Sequence, residues 1–284
     1  MFKYLASLSL IVVLFAQPAD AKIKRPGSGA SSNAFSCERK TMSSAATAIL
    51  IDATDGLTPG QVAFVSDNFV KTLTWENEND AISIIALHDE PLQLMTKKTF
   101  CAPKPNTKID MITDPVAQIK ARNRAFRRSL QQGFKEVVSR YKTKGSAKST
   151  LLIEATTEIY RNARYSFKHA QKRNLVIVSD LYQSSEILSF FKICKSKKFF
   201  ASRPLTCPTF KQSVKDNSRF RNYVQKAAPK LTKSDSVSIY YLNVGGRVDR
   251  SAERWWTQYF AEAGLPAKQL DIIPELQRGS QQSD

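Results

Sequence analysis

Histidine is almost missing from this chain: His88 and His169 are the only two in 284 residues. With the two far apart in sequence, a histidine-built zinc site is disfavoured and any Cys–His or Ser–His nucleophile is weakened. Glycine and proline are sparse too, at 10 and 12, which excludes a collagen-like or low-complexity chain. There is no glycine-rich loop of the kind that cradles phosphates, and no internal repeat. Acidic side chains are in deficit, 25 against 43 Lys and Arg, for a formal charge of +18. Such a charge attracts polyanions such as nucleic acid, anionic lipid or acidic glycan, without choosing among them. The one conspicuous apolar run, residues 5–15, is far shorter than the roughly 20 residues a membrane helix needs. What is present is ample core material, 42% hydrophobic and 10% aromatic, enough for one sizeable folded domain.

The N-terminus reads as an export signal over residues 1–21. Lys3 precedes the apolar run, Pro18 ends it, and Ala19-Asp20-Ala21 forms a small-x-small cleavage site. Cleavage removes Lys3 and Asp20 together, so a mature chain from Lys22 keeps its charge of +18. The expected location is periplasmic or secreted, with no membrane span after cleavage. Four cysteines in such a compartment fit two disulfides. Of the three connectivities, the favoured one joins Cys194 to Cys207, around a short loop holding Lys195, Lys197 and Lys198, and Cys37 to Cys101.

Residues 22–44 are rich in Gly, Ser, Lys and Ala and read as a flexible leader; 45–274 read as the folded domain and 275–284 as a polar tail. The apolar run 48–51 predicts a central strand ending at Asp52. Thr58, Pro59 and Gln61 make a capping box, and Val62, Val65, Phe69 and Leu73 predict a helix to about Trp75. Residues 81–87 predict the next strand, and the turn at His88 leads into 92–95 as an antiparallel hairpin. A long helix over 115–141 follows, with Ile119, Phe126, Leu130, Phe134, Val137 and Tyr141 on one stripe, and another helix starts after Thr150. Strands are predicted at 175–179, 237–242 and 270–273, and helices near 184–194, 216–228 and 251–263. This alternation predicts an α/β fold, a doubly wound and mostly parallel sheet with one antiparallel edge hairpin. Sites in such folds lie at the carboxyl ends of the central strands.

Two predicted strands end in acid there, at Asp52 and at Ser179-Asp180, while Thr150 sits ahead of a helix. Carboxylates and hydroxyls at one edge are hard oxygen donors suited to Mg²⁺ or Mn²⁺. These features together resemble a von Willebrand factor A-type domain over residues 45–273, with its three-loop adhesion site for a metal ion. More narrowly, the chain is similar to a group of exported bacterial proteins of that fold. The matches are an Asp-x-Thr-Asp-x-Leu-Thr opening at 52–58, a Cys-x-Pro at 101–103, a Ser-Asp-Leu at 179–181 and the aromatic run from Trp255 to Phe260. The resemblance implies a metal held by Asp52, Thr54 and Thr150, with Asp180 direct or through water. The family pattern is Asp-x-Ser-x-Ser, and here Gly56 stands in the place of the second serine, which removes one ligand. The plainer reading is that these residues satisfy loop amides and cap helices.

Residues 120–148 hold ten basic side chains against one acid, Glu136. Lys120, Arg124, Arg127 and Arg128, with Lys195, Lys197 and Lys198, form the expected partner-binding surface. The leading expectation is an exported non-enzymatic module for an acidic protein or anionic envelope surface. The alternatives are a metal-dependent phosphoester hydrolase, against which no histidine is expected near either acidic strand end, and a nucleic-acid-binding part of an envelope transfer apparatus.

Overall fold

The computed structural model describes residues 35, 37, 44–54, 57–88, 95–140, 149–162, 167–194, 207–241 and 250–273. Residues Ser31–Asp284 form a compact unit by themselves. The expected signal and its cleavage site, nearly all of the leader, the tail, Asp55, Gly56, Tyr141 and the Lys195, Lys197 and Lys198 cluster lie outside the described residues. Among the described residues no helix is long and apolar enough to cross a membrane.

Six strands make one sheet: β1 (Ala45–Asp52), β2 (Ala81–Leu87), β3 (Thr96–Cys101), β4 (Lys172–Ser179), β5 (Asp235–Tyr241) and β6 (Leu270–Ile273). Their order across the sheet is β3-β2-β1-β4-β5-β6. All neighbours are parallel except β2 and β3. The predicted doubly wound sheet with one antiparallel edge is therefore present. β1 and β2 are buried at every residue, which is why their sequences run apolar without alternation.

The helices are α1 (Pro59–Phe64), α2 (Val70–Thr72), α3 (Val116–Ser139), α4 (Leu152–Arg161), α5 (Phe190–Ile193), α6 (Phe210–Asp216), α7 (Ser218–Ala227) and α8 (Arg250–Glu262). One core packs Val62, Phe69, Phe126, Leu130 and Phe134 from α1 to α3 against Ile49, Ile51, Ile84 and Val178. The other packs Ile153, Phe220, Trp255, Trp256 and Phe260 from α4, α7 and α8 against Leu50, Ile85, Ile177 and Ile239. β3 runs antiparallel and ends at Cys101 opposite Ala81, so α3 sets out from the amino edge of the sheet and climbs toward the carboxyl edge.

Local chemistry explains where the elements depart from expectation. Of the strand expected at 92–95, residues 92–94 lie outside the described residues; the hairpin's second strand is Thr96–Cys101. Its Lys97 and Lys98 suit an edge strand, where charge discourages pairing with other chains. The capping box at Thr58 forms, but the helical run passes through a π-turn at Val65–Phe69 and stops at Thr72. Of the helix expected near 184–194 only α5 exists. Upstream of it, the Ser185 hydroxyl accepts the Ile187 and Leu188 N–H groups at 3.1 and 3.2 Å, and such side-chain bonds compete with helix. The helix expected at 216–228 is present as α7, preceded by an unexpected α6; the two are separated at Asn217, whose extended backbone lets its side chain accept the Phe220 N–H at 3.0 Å.

The favoured cysteine pairing is present, with Cα–Cα separations of 5.0 Å for Cys37–Cys101 and 4.1 Å for Cys194–Cys207. Part of the expected leader is packed. The Phe35 ring meets Phe126 edge-on at 5.2 Å and its carbonyl accepts the Cys101 N–H at 2.8 Å, at the last residue of β3.

Candidate functional site

Register builds the site. Asp52, the last residue of β1, pairs with Leu87 on one side. On the other side Ile51 pairs with Val178, which brings Ser179 alongside Asp52. The Ser179 hydroxyl donates to Asp52 Oδ2 at 2.7 Å and accepts the Leu181 N–H at 2.9 Å. Asp52 Oδ1 accepts the Thr54 N–H at 3.1 Å and the Thr54 hydroxyl at 2.6 Å. The Thr54 and Thr150 hydroxyls lie 3.1 Å apart. Thr150 arrives from the far end of α3 and is held by a two-way backbone bridge to Ser184, at 2.8 and 2.9 Å. All of Asp52, Thr54, Thr150 and Ser179 are buried.

The next residues complete the rim. Asp180 is half-buried, and its Oδ1 accepts the Tyr182 N–H at 2.9 Å, the turn-forming role that short carboxylates commonly take. Leu181 sits at φ 66°, a left-handed conformation that costs a non-glycine residue roughly 1 kcal/mol or more. Its burial and a hydrogen bond from Trp256 Nε1 to its carbonyl, 3.0 Å, hold it there. Tyr182 stacks on Phe191 with ring centroids 5.8 Å apart, and Phe191 is exposed.

Three of the four residues predicted as metal ligands thus form one hydrogen-bonded cluster, with Asp180 one residue beyond it. The donors are a carboxylate and hydroxyls, which fit Mg²⁺ or Mn²⁺ with several retained waters and fit a softer metal poorly. Among the described residues, no group of three or more His, Cys, Asp or Glu could hold a metal. A cation here would therefore lean on hydroxyls and on a ligand from outside.

Two residues that hold this edge together carry little or no signal in the sequence. Ser179 is visible there only as part of a motif, since its bond to Asp52 depends on strand register. Gln183, fully buried, has no signal: its Oε1 accepts the Ile153 N–H at 2.9 Å and its Nε2 donates to Glu154 Oε2 at 2.9 Å. Burial pushes the Glu154 carboxyl above its ordinary range, against opposing bonds from Ser185 and Gln183. One expectation is corrected outright. A histidine does lie at this edge, because His88 is buried one residue beyond Leu87, the register partner of Asp52.

The basic surface is more dispersed than expected. Lys120, Arg124 and Arg128 are exposed on α3, and their spacing of four puts them on one flank. Arg127 is committed elsewhere: its Nη1 donates to the Val70 and Lys71 carbonyls at 2.6 and 2.8 Å, and its guanidinium lies 5.0 Å from the Trp75 ring. It closes the C-terminal end of α2. Lys135, near the other end of α3, borders a groove with Pro59 and Val62 of α1, so it is the α3 cation nearest the carboxyl edge.

No protein-family model matches this chain, and no curated protein sequence matches it.

Proposed function

We propose that this chain is an exported, non-enzymatic interaction module of the von Willebrand factor A type. It binds an acidic protein partner at the carboxyl edge of its sheet, through a divalent cation held by Asp52, Thr54 and Thr150, with Asp180 direct or through water. The observation that carries this reading is the meeting of three separate segments in one hydrogen-bonded cluster: Ser179 donates to the Asp52 carboxylate, and Thr150 joins through the Thr54 hydroxyl. They meet between β1 and β4, where successive crossovers diverge to opposite sides of the sheet, the usual ligand position in such folds. The donor set is short of negative charge, and a carboxylate from the partner supplies what it lacks. Phe191 stacked on Tyr182 offers an aromatic wall beside Asp180, and Lys135 adds attraction for an acidic ligand. The two disulfides support an oxidising compartment.

A thermal-shift titration tests the cation. Mg²⁺ or Mn²⁺ at about 100 times its Kd stabilises a folded protein by about 2.7 kcal/mol, a rise in Tm of roughly 5–10 °C for a domain of this size. The rise is expected in the wild type and not in Asp52→Ala. Partner binding should weaken in EDTA and in high salt; binding indifferent to both defeats the mechanism. A second reading, phosphoester hydrolysis, is favoured only by the buried His88 at this edge. It requires turnover of a generic phosphodiester that Asp180→Ala abolishes.

A further inference from the structure

Among the described residues the exposed large apolar side chains are Met111, Ile112 and Phe191, at 86%, 93% and 71% exposure. A single exposed apolar residue is ordinary. Met111 and Ile112 are different because they are adjacent and because the turn that carries them is rigidly built. Asp114 accepts Lys104 Nζ at 2.6 and 2.9 Å and the Asp110 N–H at 2.7 Å. Asp110 accepts the Ile112 N–H at 2.9 Å and the Thr113 hydroxyl at 2.8 Å, while its carbonyl accepts the Asp114 N–H at 2.9 Å. These bonds hold both carboxyl groups below their usual range, Asp110 chiefly through the Ile112 amide and Asp114 chiefly through Lys104. The Asp110, Ile112 and Asp114 N–H groups are satisfied within the turn while two large apolar side chains are held out in water. Among the described residues, no apolar cluster takes in either side chain.

The turn's position adds a second observation. It lies between β3 and α3 at the amino edge of the sheet, the edge away from Asp52. The cations beside it are exposed: Lys108 on the preceding 3₁₀ turn, and Lys120 and Arg124 in the first turns of α3. Of the nearby acids, Asp114 is paired with Lys104 and Glu76 with Lys172, while Asp110 and the exposed Glu78, next to the Asn77 side chain that accepts from Lys108, offset part of the local positive charge.

We propose that this turn docks the protein on an anionic lipid surface, with Met111 and Ile112 entering the headgroup–acyl boundary and Lys108, Lys120 and Arg124 resting on the phosphates. Apolar side chains beside a basic flank are the chemistry of peripheral lipid binding. A protein pocket fits less well, because the apolar pair is convex and flanked by cations, and charged residues are depleted at the cores of protein interfaces. Lipid docking at this edge is independent of the cation site. Docked this way, the Asp52 edge faces away from the bilayer, about 25 Å above it along strands of this length.

Co-sedimentation with vesicles tests the proposal, using residues 22–284 so that the apolar N-terminal run cannot itself insert. This piece contains the compact unit Ser31–Asp284. Binding is expected to phosphatidylcholine vesicles carrying about 30% phosphatidylglycerol and not to phosphatidylcholine alone. Met111→Ser with Ile112→Ser should weaken it at least about tenfold. Lys120→Gln and Arg124→Gln should each weaken it about fivefold. Lys135→Gln should not, since it lies about 22 Å further along α3, beyond the roughly 10 Å screening length at 0.1 M salt. All the substituted side chains are exposed, so the melting temperature should be unchanged. Asp52→Ala should leave vesicle binding intact. The proposal is overturned by no sedimentation with anionic vesicles, whatever protein the turn then binds. It is equally overturned by equal binding to neutral ones, by full binding of the Met111/Ile112 variant, or by a loss with Lys135→Gln as large as with Lys120→Gln.

Discussion

At the scale of single residues, the region around the Asp52 cluster is held by side chains that serve as substitutes for backbone. Gln183 is the plainest case, capping α4 with one end of its amide and meeting Glu154 with the other. Glu154 ionises against its own burial, and the sign of its effect on stability follows. A carboxyl group whose pKa is raised by folding favours the folded state least when ionised, so its penalty is fully present above the folded pKa, fades as the pH falls toward the unfolded one and is gone below it. Glu154→Gln keeps an oxygen for Gln183 and removes the ionisation. In EDTA at neutral pH the variant should melt higher than the wild type, and the two curves should converge as the pH falls below the ordinary carboxylate range. A wild type that is the more stable at pH 7 would contradict the assignment. Arg127 teaches a different lesson: a cation in a basic run is not thereby a surface cation, and backbone carbonyls as partners leave no trace in sequence.

At the scale of elements, α3 depends on one close approach. A Cβ on Gly133 would lie 2.4 Å from Phe100 Cζ and 2.9 Å from its Cε2, and Phe100 is itself fully buried on β3. Gly133→Ala should therefore overpack this contact and lose about 1–3 kcal/mol in spite of alanine's better helix propensity. Urea denaturation of the two proteins measures the difference, and a stabilised variant would show that β3 can yield. The central strands and the long helix are legible in the sequence, because runs such as 48–51 and the stripe through Phe126, Leu130 and Phe134 mark burial directly. The segment from Leu181 to Ser189 is not, because there Ser and Gln side chains bond the backbone in place of a helix, with no periodicity to read. The meeting of Asp52, Thr54 and Thr150 is legible in outline, since the fold class places each at the same edge. The inclusion of Ser179 is not, since it requires the register of β4 on β1.

At the scale of the whole molecule, the two bridges divide the work unequally. Cys37–Cys101 spans a sequence separation of 64, and Cys194–Cys207 one of 13. In the chain-entropy model the longer loop is worth about 4 kcal/mol and the shorter about 3. Replacing the first pair by serines should thus lower the denaturation midpoint more than replacing the second; equal losses would show that native contacts, not loop length, dominate. The longer bridge also lies two residues from Phe35, whose carbonyl accepts the Cys101 N–H at the end of β3. Both bridges join cysteines that are successive in the sequence, first with second and third with fourth. A chain that enters an oxidising compartment amino end first offers Cys37 its partner Cys101 before any other thiol, and once that bridge has closed it leaves Cys207 as the free partner of Cys194. With the first bridge closed before Cys194 appears, pairing in order of emergence leaves an isomerase no mistaken bond to undo.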